Sequence, residues 1–482
     1  MTIFVNKFKI KINMFQKKEN KFYITTTLPY VNAKPHLGHA LEFIQVDVIA
    51  RYHKLLGDQV TALTGGDENA LKNVQAAEKA GVPTQEFVDK NAQLFLELTK
   101  KLNTPFTIFQ KGTNPSHFKS SQELWNRCFE KGDIYKKNYE GLYCIGCETF
   151  YSPDELNEKG ECSEHPGKKL DKVSEANYFF KLSSYQKQLI ELISSDKLKI
   201  YPEFRKNEVL SFLKEPLWDI SISRSNERAK NWGVPVPNDS TQRIYVWFDA
   251  LNIYRSGVPD ETWPADLHII GKGIIKFHTV YWPAFLLSAG LQLPKAVMAH
   301  GYLTVDGQKM SKTIGNIVDP LEIINKYGID ALRYYLLREI PPFDDGDFSY
   351  RRLDEVYSSD LANELGNLVM RITTLAEKDG LNIKSSSHYP LATSHLFDNF
   401  QFNTILEDIW KKIKVLNKST NDFAPWKKTA TERKEFLTKS LNEINQVGYE
   451  LQPFLPFTAE KILKATKGKI TKITPLFPRL NK

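Results

Sequence analysis

Residues 21–39 read Lys21-Phe22-Tyr23-Ile24-Thr25-Thr26-Thr27-Leu28-Pro29-Tyr30-Val31-Asn32-Ala33-Lys34-Pro35-His36-Leu37-Gly38-His39. The opening is rich in β-forming side chains and predicts a buried strand over 21–28. The prolines and Gly38 predict a loop over 29–38. From residue 39 to 56, Leu41, Ile44, Val48, Ile49 and Tyr52 recur at helical spacing. A second short strand over 60–63 follows and closes at Gly65-Gly66. Strand, loop, helix and strand in this order open a parallel α/β sheet, in which ligands bind beyond the carboxyl ends of the strands. Both early loops fall where a ligand would sit.

Working outward, short apolar runs at 243–248, 267–270 and 296–299 read as further strands of the same sheet. The stretch between them and the opening carries clustered cysteines, glycines and lysines, and reads as an insertion between two halves of one sheet. From residue 351 onward no strand pattern is convincing, while helical periods at 361–375 and 437–451 predict a bundle. The division is an N-terminal extension over 1–20, a first half of the α/β unit over 21–114, and an inserted unit over 115–241. The second half follows over 242–300, then a Lys-bearing loop region over 301–350 and a helical unit over 351–482.

Composition agrees with a folded chain of about three packed units. There are 482 residues, 41 % hydrophobic and 25 % charged, with 65 Lys+Arg against 57 Asp+Glu. The net charge of +8 permits an acidic partner such as nucleic acid without demanding one. The longest apolar stretches, such as 280–287, are broken by Pro283 and fall short of a membrane span. Residues 1–20 are Lys-rich, with no acidic residue before Glu19, but lack arginine and a signal-peptide pattern, and Met14 offers a second start. The expected compartment is the cytoplasm, because Cys128, Cys144, Cys147 and Cys162 are too few for a disulfide scaffold of this length.

Three constellations carry chemistry. His36 and His39 flank Gly38 at a helix start, where free N–H groups and the helix dipole favour anions. Lys309-Met310-Ser311-Lys312-Thr313 places two ammonium groups three residues apart, which suits a polyphosphate. Either pattern alone is common on ordinary surface loops. Together, about 270 residues apart and in this order, they are specific. Third, Cys144-Ile145-Gly146-Cys147 precedes, by fourteen residues, Cys162-Ser163-Glu164-His165. Four soft ligands in two half-sites match tetrahedral, structural zinc; the rival reading is buried thiols beside a chance histidine.

The paired motifs resemble the HIGH and KMSKS signatures of class I aminoacyl-tRNA synthetases. Along nearly the whole chain the surroundings resemble the methionyl-tRNA synthetase family: residues 25–32, Tyr245-Val246-Trp247-Phe248-Asp249-Ala250-Leu251, Ile270-Gly271-Lys272, and Phe277-His278-Thr279-Val280-Tyr281-Trp282-Pro283-Ala284. The resemblance implies a Rossmann-like parallel-sheet catalytic domain with an inserted zinc knuckle, followed by an α-helical bundle. It implies His36, His39, Lys309 and Lys312 as catalytic residues, joined by Gly38 and Ser311 in contacting ATP with its Mg²⁺. It implies a methionine pocket of Leu28, Tyr30, Trp247, Ala250, Tyr254, Ile274, Phe277 and His278, with Asp67 taking the substrate ammonium. Aromatic walls favour a polarizable thioether. Asn367, Arg371 and Trp426 resemble the family's anticodon reader, which makes tRNA(Met) the expected partner.

The sequence departs from the family at two places. Asn69 stands where histidine is usual, and Gly273 stands where aspartate usually follows Gly-Lys. These departures keep a non-catalytic tRNA-binding paralogue as the rival reading. Synthetases for isoleucine, valine or leucine need a larger editing insertion, a cysteine enzyme would need a thiol near residues 25–39, and a small HxGH nucleotidyltransferase leaves the cysteines and the helical tail unexplained. No appended RNA-binding or dimerisation module follows the bundle, so a monomer is expected.

Overall fold

The structure is a computed structural model that describes residues 20–144, 149–151, 156–162, 167, 169–310, 315–384, 388 and 394–480. Its centre is a six-stranded sheet. The spatial order is Ile108–Lys111, Gln59–Gly66, Lys21–Thr25, Leu267–Gly271, Ala296–His300 and Lys199–Tyr201, and every neighbouring pair is parallel. The inner strands read as continuous apolar runs because both faces are covered: Ile24, Leu63, Ile269, Ile270, Val297, Met298 and Ala299 are all buried. Strand Lys21–Thr25 pairs with Gln59–Gly66 on one side, and through Ile24↔Leu267 and Thr25↔His268 on the other. The direction in which the chain builds the sheet reverses between these neighbours, and ligand crevices open at such a reversal.

Helix Leu37–Leu56 follows the first strand and loop. Its apolar positions, Leu41, Ile44, Val48 and Ile49, enter the core shared with the C-terminal helices. The adjacent Tyr52 stacks on Phe397 of the helical unit, 4.0 Å between ring centroids. Beyond residue 350 the main helices are Asn367–Lys378, Phe402–Phe423, Ala430–Leu451 and Pro456–Ala465. Thr429 and Glu432 form a reciprocal capping box at the start of the third. Among the described residues, no helix is long and apolar enough to cross a membrane.

The structure corrects the reading of residues 243–248 as a strand of the main sheet. Strand Asp239–Ile244 belongs to a separate antiparallel sheet with Pro235–Val236 and Ser223–Ser225, and Val246–Ala250 is a helix. Its five residues are buried on every side, so no periodicity distinguishes a short buried helix from a buried strand. Two edge strands, Ile108–Lys111 and Lys199–Tyr201, are too short to leave a pattern. The small pair Asn382–Ile383 and Gly468–Lys469 escapes notice in the helical unit for the same reason.

Strand Lys199–Tyr201 lies inside the segment 115–241 yet pairs with Ala296–His300, so that segment returns to the sheet before its end. What leaves the sheet is a narrower excursion. Strands Ile134–Cys144 and Asp171–Phe180 run antiparallel, their bases meet at Ile134↔Phe180, and Lys181 N donates to Asp133 O at 2.9 Å.

Strand Gln59–Gly66 ends where the sheet leaves no room for a side chain. A Cβ on Gly65 would stand 1.8 Å from the carbonyl oxygen of Gln110 on the neighbouring strand. Gly65→Ala is therefore expected to destabilise the α/β unit by about 1–3 kcal/mol, the scale of overpacking. An unchanged urea midpoint would contradict this spacing.

Candidate active site

The two histidines of the first loop cap helix Leu37–Leu56, and they cap each other. His36 is the residue before the first turn, and its Nδ1 accepts from Gly38 N at 3.1 Å. His39 Nδ1 accepts from His36 N at 3.1 Å. This is the geometry of a capping box with imidazoles in place of Ser and Glu. Its chemical consequence is a fixed tautomer. Both Nδ1 atoms accept, so each neutral ring carries its proton on Nε2. Burial lowers His36 from 6.5 to about 4 and drives His39 well below its ordinary value, with His36 adding to the effect. The pair is two neutral N–H donors at a helix N-terminus, with ring centroids 3.9 Å apart.

The second motif meets this helix start. Strand Leu303–Val305 turns back at Asp306-Gly307 so that Thr304 pairs with Lys309. Met310 then reaches the first loop: its Cε lies 3.6 Å from where a Cβ on Gly38 would stand. Val318 O, beyond the motif, accepts from Leu37 N at 3.1 Å. Ser311 and Lys312 lie outside the described residues.

The residues expected to hold methionine come from four segments and gather beside the sheet reversal. Tyr30 forms a β-bridge with Asp67, and Asp67 N donates to Pro29 O at 2.9 Å. Trp247 stacks on Phe277 at 3.7 Å and presents its edge to Tyr30 at 6.2 Å. Leu28, Trp247, Ala250, Tyr254 and Phe277 share one buried cluster, with Tyr30 and Ile274 packed against it. His278 is buried, and burial lowers it to about 4. Its Nδ1–H donates to Ile274 O at 3.0 Å, so its Nε2 accepts the Tyr254 hydroxyl proton at 2.7 Å. Asp67 is 3 % exposed.

Behind the pocket lies a network that the sequence did not reveal. Asp249, from the helix that carries Trp247 and Ala250, is almost fully buried. Its Oδ1 accepts from His117 Nε2 at 2.7 Å and Ser121 Oγ at 2.8 Å, and its Oδ2 accepts from Asn69 Nδ2 at 2.6 Å. A buried carboxylate is tolerable when its lone pairs are met. Here one carboxylate ties the Asp67 loop to the aromatic wall. The available signal was a lone aspartate inside the apolar run 245–251.

A sequence model of the family described as "tRNA synthetases class I (M)" matches residues 22–373. The methionine–tRNA ligase of Thermotoga maritima is 41 % identical over 474 residues, covering 92 % of this chain and 75 % of that protein. The Synechocystis enzyme is 40 % identical over 473 residues, covering 92 % and 88 %. A Mycobacterium tuberculosis methionyl-tRNA synthetase in complex with methionyl-adenylate matches with a TM-score of 0.89 and 36 % identity, over 95 % of this chain and all of that one. This chain belongs to the methionyl-tRNA synthetase family.

Against the family pattern, Asn69 retains a donor where histidine is usual. Its Nδ2 serves both Asp249 and the Gly112 carbonyl, the latter at 2.9 Å. Position 273 carries no carboxylate, and Lys272 beside it is engaged by Asp345 at 2.7 Å. In the helical unit, the residues resembling the synthetase anticodon reader are adjacent. Asn367 opens helix Asn367–Lys378, Arg371 follows one turn later, and its guanidinium lies 5.5 Å from the Trp426 ring. Trp426 is 51 % exposed. Arg371 also donates to Asn421 Oδ1 at 2.9 Å, a partner the sequence did not suggest.

The cysteines divide into two kinds. Cys128 is fully buried, donates to Phe285 O at 3.6 Å, and burial pushes its thiol up to about 12, as for inert packing. Cys144 ends strand Ile134–Cys144 opposite Thr149, while Cys162 Sγ contacts the Tyr151 hydroxyl at 3.3 Å. Both residues are buried, one ending a strand of this hairpin and the other touching its partner strand. Cys147 and His165 lie outside the described residues. Among the described residues no group of three or more metal-binding side chains comes together.

The lowered histidines make stability depend on pH in one direction. His36, His39, His268 and His278 are held neutral in the fold, while an unfolded chain protonates them near 6.5. The unfolded state then binds more protons, so stability is retained above about 6.5 and lost as pH falls from there toward 4. The melting temperature is expected to drop across this window, with a shallower slope in His36→Gln. A flat profile between pH 7 and 5 would contradict neutral imidazoles.

Proposed function

We propose that this chain activates L-methionine with ATP to methionyl-adenylate and pyrophosphate, then transfers methionine to the 3′-terminal adenosine of tRNA(Met). The observation that supports it most is the meeting of Met310 with Gly38, which sets the Lys-bearing motif against the histidine-capped helix. A tRNA-binding paralogue without catalysis has no need of this meeting, and both histidines and both lysines are intact.

Methionine's carboxylate is ionised at neutral pH, so the first step needs no general base. A carboxylate oxygen attacks the α-phosphorus, and the bond to the bridging oxygen breaks to release pyrophosphate. What the reaction needs is alignment, and donors where negative charge gathers. Asp67 takes the ammonium, and Leu28, Tyr30, Trp247, Ala250, Tyr254, Ile274, Phe277 and His278 enclose the side chain. Neutral His36 and His39 donate Nε2–H to phosphate oxygens beside Gly38. Lys309, Ser311 and Lys312 contact the β and γ groups. Magnesium accompanies ATP and supplies further positive charge to the leaving pyrophosphate. In the second step a ribose hydroxyl of the terminal adenosine, the 2′-hydroxyl by family resemblance, attacks the adenylate carbonyl and releases AMP.

Asn367 and Arg371 offer hydrogen bonds to anticodon base edges, and Trp426 supplies the stacking plane by which unstacked bases are held. Cys144, Cys147, Cys162 and His165 would hold one structural zinc, which would supply folding energy to the inserted unit. The soft donor set, with Cys144 ending one strand of the hairpin and Cys162 touching Tyr151 of the next, supports this assignment. The resulting reading is a cytoplasmic, monomeric enzyme with an inserted zinc knuckle.

Losing one preorganised donor to transition-state charge costs on the order of 10²–10³-fold in rate. Lys312→Ala is therefore expected to slow single-turnover adenylate formation by about that factor, with methionine affinity close to normal. Wild-type turnover would refute the role of the motif. Metal analysis of freshly purified, unchelated protein is expected to find one zinc per chain. Cys162→Ser is expected to release it, with loosening of the hairpin, because structural-metal binding energy is largely folding energy. Protein without zinc at the outset would remove the metal assignment.

A further inference from the structure

Arg333 is among the largest fully buried side chains of the protein. Burying a guanidinium is costly unless its donors are met. Its partners come from three separate parts of the chain. Nη2 stands 2.7 Å from Asp47 Oδ2, on the helix that begins after His36. Nε donates to Phe454 O at 2.6 Å and Nη2 to Pro453 O at 2.9 Å, in the turn between helices Ala430–Leu451 and Pro456–Ala465. Nη1 donates to Leu102 O at 3.4 Å, just past helix Thr84–Lys101.

Asp330 sits one turn before Arg333 on helix Ile329–Arg338 and accepts from Thr458 N at 2.6 Å. The turn is thus gripped by a cation on carbonyls closing one helix and by a carboxylate on an amide opening the next. These are the signs that helix termini favour. Asp47 is fixed in turn by Arg51 Nε at 2.7 Å.

Each gripped element leads to a working end. Helix Ala430–Leu451 has 22 residues, about 33 Å of rigid rod, and it starts just after Trp426. Helix Leu37–Leu56 carries His39 in its first turn and Asp47 two turns further on. Apolar contacts such as Tyr52 on Phe397 surround the junction, but they are non-directional. The planar fork of a guanidinium sets orientation.

We propose that Arg333 is a positioning residue that locks the rod leading from Trp426 to the helix bearing His36 and His39. An RNA docked at Trp426 then presents its acceptor end in register with the adenylate. The inference rests on the anticodon assignment made above.

The test is a double-mutant cycle of Trp426→Ala and Arg333→Lys, the latter keeping the charge and removing the fork. Three rates are read: methionine-dependent pyrophosphate exchange, charging of full-length tRNA(Met), and charging of a duplex comprising the acceptor stem alone. Arg333→Lys is expected to lower kcat/KM for full-length tRNA about tenfold, within the usual range of coupling between sites. Exchange and duplex charging should stay within about twofold, and in the Trp426→Ala background the same change should cost less than about twofold more. If Arg333→Lys does not fold, Asp47→Asn severs the ion pair from the other side with an isosteric side chain and should give the same pattern.

Independent, multiplying effects in the cycle would overturn the proposal, as would equal losses in exchange and duplex charging. Full-length charging unaffected by Trp426→Ala would overturn the anticodon assignment and this inference with it. An effective Trp426→Ala with multiplying effects removes the inference alone.

Discussion

The pairing of strand Lys21–Thr25 with Leu267–Gly271 is the constraint on which the rest of the molecule depends. Two segments separated by more than half the chain are locked edge to edge by Ile24↔Leu267 and Thr25↔His268. Beyond the last paired residue the backbone still bonds to both neighbours in turn: Thr26 N donates to Leu63 O, and Thr27 N donates to Ile269 O. The crevice lies past these last bonds, where the order of the strands reverses. Glu42, from the capped helix, closes its floor, accepting from Thr27 N at 2.6 Å through Oε1 while its Oε2 meets His300 Nε2 at 2.9 Å. A helix with a polar position aimed at two strand ends is thereby held in one rotation, and the same helix begins at His36 and carries His39 in its first turn.

Around that crevice the protein separates fixed geometry from charge. The imidazoles are neutral and locked by backbone N–H groups of Gly38 and His36, so they contribute direction without a formal charge. In the proposed reaction the formal positive charge comes instead from Lys309 and Lys312. Asn69 fits the same economy. At a buried position facing Asp249 a histidine would bring a titratable ring, whereas an amide supplies the needed N–H with no proton to lose. The Asp67 loop keeps its anchor at the aromatic wall despite the departure from family habit.

Much of this could be read in advance where the chain is periodic or its chemistry is spelled out locally. The opening strand, the helix over Leu41 to Tyr52, the strands near 267 and 296 and the helices around Leu368 and Leu441 all announce themselves by spacing. Residues 243–248 misled because a five-residue helix buried on all sides shows the same unbroken hydrophobicity as a strand. Edge strands of three or four residues leave no period at all. The capping of a helix by two imidazoles was invisible because His is not read as a cap, and the tautomer follows only from the cap. Asp249 with His117, and Arg333 with Asp47, join residues 132 and 286 positions apart. Local sequence carries no information about such distances.

The return of residues 199–201 to the sheet bears on how this insertion could be exchanged between relatives. The whole segment from 115 to 241 is not a cassette, because removing it would strip the Ala296–His300 strand of its outer neighbour and expose a hydrogen-bonding edge. The excursion between Ile134 and Phe180 is different. It departs and arrives at one rung of one ladder, so a shorter hairpin closing between Lys137 and Asn177, which already face each other, would leave every strand of the six-stranded sheet in place. Variation in length among related chains can therefore accumulate at the tip of that hairpin, while the residues from Lys181 onward are bound to the architecture of the catalytic sheet.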